Sequence, residues 1–267
     1  MAFVDIGGVS VHFRHRRAVG GAPVLAFINS LGTDFRIWDD VADILAADVS
    51  VLAYDKRGHG LTGQGGGVRS IDDHVDDLAG LLDHLGIEEA VLCGLSIGGL
   101  VAQGFVARRP RAVRGLILCD TAAKIGTAQS WNARIETVER DGIEAIADSV
   151  MEKWFTPAFH RDRPADLAGY RTMLVRQPAA GYVGSCVALR EADYTQAAHA
   201  ISLPTLCVVG DQDGSTPPEL VRETAALIPG ARVDIIAGAG HIPCVEQPEA
   251  LASLIRGVIA SLPGRNS

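Results

Sequence analysis

Ser96 stands in the run Gly94-Leu95-Ser96-Ile97-Gly98, with a glycine two residues away on either side. This spacing suits a nucleophile held on a sharp strand-to-helix turn, where only small neighbours let the two elements close up. AVLC before it and LVAQGFVARR after it supply that strand and that helix. Alone, the spacing also fits a glycine-rich turn with an N-capping serine, so the partners decide. A serine hydroxyl is a weak nucleophile until a base removes its proton. The base should be a histidine oriented by a carboxylate. In the chain order Ser, acid, His, the acid follows a late strand and the histidine follows the last one. LCVVGDQDGSTPP offers Asp211 and Asp213 at the first place, and GAGHIPCVEQPE offers His241 at the second. The chemistry of such a set is attack on a carbonyl, with backbone N–H groups at the helix N-terminus facing the developing oxyanion.

The elements that must carry these residues are read from periodicity. VSVHFRHR (9–16) alternates like a half-buried strand. Continuous apolar runs at 22–30, 49–55, 89–94, 113–120, 204–211 and 231–238 predict buried parallel strands. Helical spacing marks 70–86, 96–110, 217–230 and 249–262 between them. Strand and helix in alternation predict an α/β fold with a mostly parallel, doubly wound sheet. Residues 123–195 keep the helical pattern but hold no buried strand, so they are read as a helical cap inserted between two core strands. The core is then residues 1–122 and 196–267. Ser96, Asp213 and His241 all fall at C-terminal strand ends, where open α/β sheets place their sites.

Composition narrows the function classes. A chain of 267 residues, 48% hydrophobic but only 5% aromatic, has an aliphatic core of the kind that buries parallel strands. The formal charge of -8 and the pI of about 5.4 argue against non-specific binding to nucleic acid or to an acidic membrane surface. MAFVDIGGVSVHFRHRR lacks the layout of a signal peptide, and no apolar run reaches the roughly 18 residues of a membrane helix. Cys93, Cys119, Cys186, Cys207 and Cys244 are odd in number and form no CxxC pair, which predicts reduced thiols in a cytoplasmic protein and no zinc site.

Five segments carry a resemblance: NSLGTDFRIWD (29–39), YDKRGHGLT (54–62), GLSIGGLVAQ (94–103), TAAKIGTAQSWNARI (121–135) and GHIPCVEQPE (240–249). Through them the chain resembles the α/β-hydrolase superfamily over essentially its whole length. Within it, the chain is similar to the 3-oxoadipate enol-lactonases of the β-ketoadipate pathway of aromatic breakdown. Asn29-Ser30 stands where many superfamily members have His-Gly, and that form marks the enol-lactonases. The resemblance implies an α/β-hydrolase fold with Ser96 as nucleophile, His241 as base and Asp213 as acid, because the G-D-x-D pattern uses the second aspartate. It implies an oxyanion hole from the N–H groups of Leu31 and Ile97, and neither a metal nor an organic cofactor. The implied substrate is a small anionic lactone whose carboxylate needs a cation. Arg134, beside Trp131 in the cap, is the first candidate. Arg57 and Ser30 follow, and Trp154 is a further contact or plain packing between cap and core. A homo-oligomer is compatible with this reading. An esterase, a C–C bond hydrolase, a haloperoxidase-like perhydrolase and a ligand sensor are the alternatives on the same scaffold.

Overall fold

The chain opens with a hairpin. β1 (Ala2–Ile6) and β2 (Val9–Arg16) pair antiparallel across Gly7 and Gly8, both at positive φ, where glycine carries no Cβ penalty. β1 lies outside the sequence expectation; it is mostly exposed, so no apolar face betrays it. The apolar runs then form β3 (Val24–Ile28), β4 (Ser50–Tyr54), β5 (Ala90–Leu95), β6 (Val113–Cys119), β7 (Thr205–Gly210) and β8 (Arg232–Ile236). The computed structural model describes residues 1–18 and 22–262.

These strands make one eight-stranded sheet in the order β1-β2-β4-β3-β5-β6-β7-β8. β1/β2 and β2/β4 are antiparallel and every other pair is parallel. β3 has β4 on one side and β5 on the other, so the strand order reverses there. Ile28 pairs with Gly94, which sets the loop after β3 beside the turn carrying Ser96. That crevice is the switch point of the sheet.

Helices cover both faces of the sheet. α1 (Asp39–Ile44) is short; α2 (Ile71–Leu85) starts where Asp73 accepts the Ser70 N–H at 3.1 Å and ends at the left-handed Gly86. α3 (Ile97–Arg108) is buried along most of its length, as its apolar sequence requires. Between β6 and β7 the chain forms α4 (Ala128–Asp141), α5 (Ala147–Trp154), α6 (Pro157–Asp162), α7 (Pro164–Val175), α8 (Ala179–Glu191) and α9 (Thr195–Ala198), with no strand among them. α10 (Pro218–Leu227), α11 (Pro243–Glu246) and α12 (Pro248–Ser261) complete the order. Among the described residues no helix is long and apolar enough to cross a membrane. All five cysteines are free and buried.

Candidate active site

Ser96 occupies the turn between β5 and α3 with φ 56° and ψ -119°, a conformation that L residues rarely hold. The surroundings impose it. The Ser96 N–H donates to the Cys119 carbonyl at 3.0 Å, while its own carbonyl accepts the Gly99 N–H at 2.8 Å and the Thr121 hydroxyl at 2.6 Å. The flanking glycines are needed for space. A Cβ on Gly94 would sit 2.2 Å from the Gly98 carbonyl oxygen, and one on Gly98 would sit 2.2 Å from that of Ile28. The start of α3 therefore rests against the end of β3, which brings the Asn29–Thr33 loop to the serine.

Asp213 follows β7 and His241 follows β8. A Cβ on Gly210 would lie 2.2 Å from the Gly240 carbonyl oxygen, so that glycine lets the two loops meet. His241 Nδ1 lies 2.9 Å from Asp213 Oδ2 and 3.0 Å from Oδ1, and both residues are buried. Asp213 also accepts the Ser215 and Thr216 N–H groups at 2.7 and 3.1 Å and the Thr216 hydroxyl at 2.6 Å. Burial alone would raise the Asp213 pKa. The His241 ring and these donors outweigh it and hold the carboxyl below its usual range. With Nδ1 engaged by the carboxylate, Nε2 is the His241 nitrogen left to exchange a proton. Asp211 is placed differently: it is exposed and accepts the Ala239 N–H at 3.2 Å.

Ser96 and His241 line one cavity of about 170 Å³, together with Ser30, Leu31, Gly214 and Ser215 from the sheet side. The helical segment closes it with Ile125, Gly126, Ser130, Trp131, Arg134, Val150, Lys153, Trp154, Tyr182 and Leu189. A cavity below the roughly 300–1,000 Å³ of drug-sized sites suits a small ligand. The Trp131 indole N–H donates to the Ile125 carbonyl at 2.7 Å, and the Arg134 guanidinium lies 5.6 Å from the Trp131 ring centre. Arg134 also donates to the Tyr182 hydroxyl at 3.3 Å. Neither Arg134 nor Lys153 has a carboxylate partner among the described residues. Lys153 escaped the sequence reading, although it immediately precedes Trp154.

Ile97 is the first residue of α3, so its N–H has no intrahelical acceptor. Leu31 sits in a knotted loop: Asn29 Nδ2 donates to the Thr33 carbonyl at 2.5 Å, and Thr33 Oγ1 donates to the Ser30 carbonyl at 2.9 Å. Asn29 thus ties its own loop and does not line the cavity.

Arg57 does not line this cavity. Its guanidinium binds both oxygens of Asp77 on α2 at 2.9 and 2.6 Å and the Gly67 carbonyl at 3.2 Å, away from the cavity. These contacts anchor the loop after β4 to α2.

Asp120 was not foreseen, though a buried acid at the end of a strand is its own signal. It holds φ 45°, is fully buried and accepts the Gly210 N–H at 2.9 Å. Burial first, then the neighbouring Asp213 charge, raise its pKa well above the usual range and so favour the protonated form. Ligand atoms of Asp120, Asp213 and His241 lie within 4.8 Å of one another. That donor set fits hydrogen bonding better than metal ligation, because His241 Nδ1, Ser215 and Thr216 already occupy both Asp213 oxygens. A larger cavity of about 700 Å³, between α7 and the loops after β3 and β4, is lined by the His12–Asp55 pair, with no Ser or Cys among its described lining residues.

Comparison with known proteins addresses the chain as a whole. Residues 25–254 match the alpha/beta hydrolase family. The chain is 36% identical over 237 residues to 3-oxoadipate enol-lactonase 2 of Acinetobacter baylyi, which covers 89% of this chain and 88% of the relative. It superposes on the crystal structure of the enol-lactonase from Burkholderia xenovorans with a TM-score of 0.94 at 33% identity, covering 97% of this chain and all of that one, 100%. A thermophilic esterase from Thermogutta terrifontis gives 0.90 at 31% identity, covering 97% and 98%.

Proposed function

This chain belongs to the alpha/beta hydrolase family, and from that premise we propose that it hydrolyses 3-oxoadipate enol-lactone to 3-oxoadipate with Ser96, His241 and Asp213 as its triad. The observation that carries the reading is a guanidinium without a carboxylate partner among the described residues, Arg134, in the same small cavity as the serine and the acid-paired histidine. An esterase for neutral substrates has no use for that cation.

In this reading Ser96 Oγ attacks the lactone carbonyl while His241 Nε2 takes its proton. Asp213 keeps the ring in the required tautomer and stabilises the imidazolium. The Leu31 and Ile97 N–H groups receive the oxyanion; removing one such donor costs roughly 3–4 kcal/mol in comparable sites. Collapse breaks the ring C–O bond and expels an enolate, a better leaving group than an alkoxide. His241 returns the proton to it, and the enol becomes the ketone. Water deprotonated by His241 then attacks the acyl-Ser96 carbonyl, releasing the linear acid and regenerating the hydroxyl. Arg134 pairs with the substrate carboxylate, bidentate geometry suiting that group best. Trp131 and Trp154 wall the pocket, and residues 123–195 act as its cap. Family membership and the enol-lactonase relatives support this reading.

Hydrolysis of the enol-lactone beside p-nitrophenyl acetate, with Ser96→Ala as control, tests it. Rapid lactone loss that disappears in the variant, with slower ester cleavage, is the expected result. Ester cleavage without lactone turnover would make the protein an esterase like its Thermogutta neighbour.

A further inference from the structure

Lys56 follows β4 by two residues and is 0% exposed. A buried ammonium is costly, and an apolar side chain of similar volume often fills such a place at no loss of stability. What Lys56 touches explains its presence. Its Nζ donates to the Ser30 carbonyl oxygen at 2.8 Å. That oxygen belongs to the same peptide unit as the Leu31 N–H. The unit is planar and trans, so its C=O and N–H point in opposite directions. A cation fixed on the oxygen therefore fixes the direction of the N–H. It also draws electron density from the amide, which strengthens the N–H as a donor.

We propose that Lys56 is a positioning residue of the oxyanion hole, its ammonium aiming and polarising the Ser30–Leu31 peptide toward the oxyanion formed at Ser96. The inference rests on the serine-hydrolase reading given above. Thr33 Oγ1, on the same carbonyl at 2.9 Å, adds a second donor that a peptide flip would break. No described residue accepts from the Leu31 N–H, which leaves it for the reacting oxygen.

The groups around Lys56 fit a cation that titrates. Asp55 and Asp34 favour its charge, while burial pulls its pKa down to about 7. Asp55 is shared with His12, whose Nδ1 lies 2.7 Å away. His59 on the following loop and His74 on α2 are both driven downward in pKa, first by burial and then by the Lys56 charge, so they stay neutral. Losing the Lys56 proton therefore weakens the oxyanion hole on the alkaline side of neutrality.

Lys56→Met keeps length without charge, and Lys56→Gln keeps a neutral donor. Both variants are compared with the wild type for kcat and KM on the enol-lactone and p-nitrophenyl acetate from pH 6 to 9, and for affinity toward phenylboronic acid, which forms a tetrahedral adduct on serine. For Lys56→Met the expected result is a loss of about three- to tenfold in kcat on both substrates with KM within about twofold. Boronate affinity should fall by a similar factor, Lys56→Gln should lie between, and the alkaline decline of the wild-type kcat should vanish. A folded Lys56→Met protein with wild-type kcat and boronate affinity, or with an unaltered pH profile, overturns the inference. So does a kcat loss matched by a rise in KM and a fall in melting temperature, which would mark a purely structural lysine. A wild type that turns over neither substrate through Ser96 fails the functional reading instead.

Discussion

Two carboxyls at the ends of neighbouring strands have been given opposite proton affinities. Asp213 is crowded with donors that favour its charge; Asp120 has burial and a negative neighbour that favour its neutral form. The two amide substitutions should therefore separate. Asp213→Asn removes the charge that orients and stabilises His241, and kcat/KM should fall by about 10³- to 10⁴-fold, as in comparable triads. Asp120→Asn replaces a neutral acid by a neutral amide, and asparagine tolerates the positive φ, so kcat/KM should stay within about threefold. Steady-state kinetics on the same substrate decides, and equal losses would mean that Asp120 carries charge. Lys56 gives a second contrast, in stability. Its folded pKa of about 7 lies below the ordinary 10.5 of the unfolded chain. Between those values the unfolded chain binds the proton and the folded chain does not, so this group makes stability rise with pH across the window. Below it the full cost of the buried charge applies. Lys56→Met should thus be more stable than the wild type at pH 6, by about 1–4 kcal/mol, with the advantage shrinking toward pH 10. Denaturant melts at the two pH values measure this; an advantage that grows with pH would refute the sign.

At the scale of elements, the site depends on how closely turns approach one another. Gly98 touches the Ile28 carbonyl, so Gly98→Ala must push α3 away from β3 and with it Ser96 away from Leu31. A displacement near 1 Å is enough to cost about 10²-fold in rate. Gly257 on α12 has no atom within 4 Å of its would-be Cβ, and Gly257→Ala should instead stabilise by about 0.5–1 kcal/mol without touching kcat. Thermal melts and kinetics on the pair separate steric from helical effects; an active Gly98→Ala enzyme would show that the contact can relax. These elements were legible because strands and long helices declare themselves locally. The runs at 49–55 and 113–120 contain β4 and β6, and helical spacing over 70–86 gave α2 to within a residue at each end. The strand ends bearing Ser96, Asp213 and His241 could be located the same way. β1 and the six-residue α1 were not legible, the first because it is exposed and the second because it is too short for a period. The roles of Arg57, Lys56 and Lys153 were hidden for another reason. Each depends on a neighbour brought by the fold: Asp77 for Arg57, the Ser30 carbonyl for Lys56, the lining of the cavity for Lys153. Glu246 belongs with them. It accepts the Gly240 N–H at 2.6 Å and the Thr156 hydroxyl at 2.7 Å, clasping the histidine loop to the segment after α5, and no local pattern announces a clasp across 90 residues.

Across the whole molecule, charge is arranged against its own average. The chain carries -8, yet the cavity presents Arg134 and Lys153 with no acid among the described residues paired to either. An anionic lactone is repelled at long range and attracted at short range. At about 0.1 M salt the screening length is about 10 Å, so distant acidic residues fade while the cations lining the cavity still act. The short-range term should therefore govern capture. Lys153 is exposed, and an exposed charge is worth at most about 1 kcal/mol to a bound partner. Lys153→Met should accordingly lower kcat/KM for the enol-lactone by about two- to fivefold and leave p-nitrophenyl acetate unchanged. Raising salt should depress kcat/KM for the lactone in the wild type, less so in the variant, and should not affect the neutral ester in either. The same series at increasing ionic strength exposes the opposite case. If kcat/KM for the lactone climbs with salt, repulsion by the whole molecule dominates, and Lys153 has no part in drawing the substrate in.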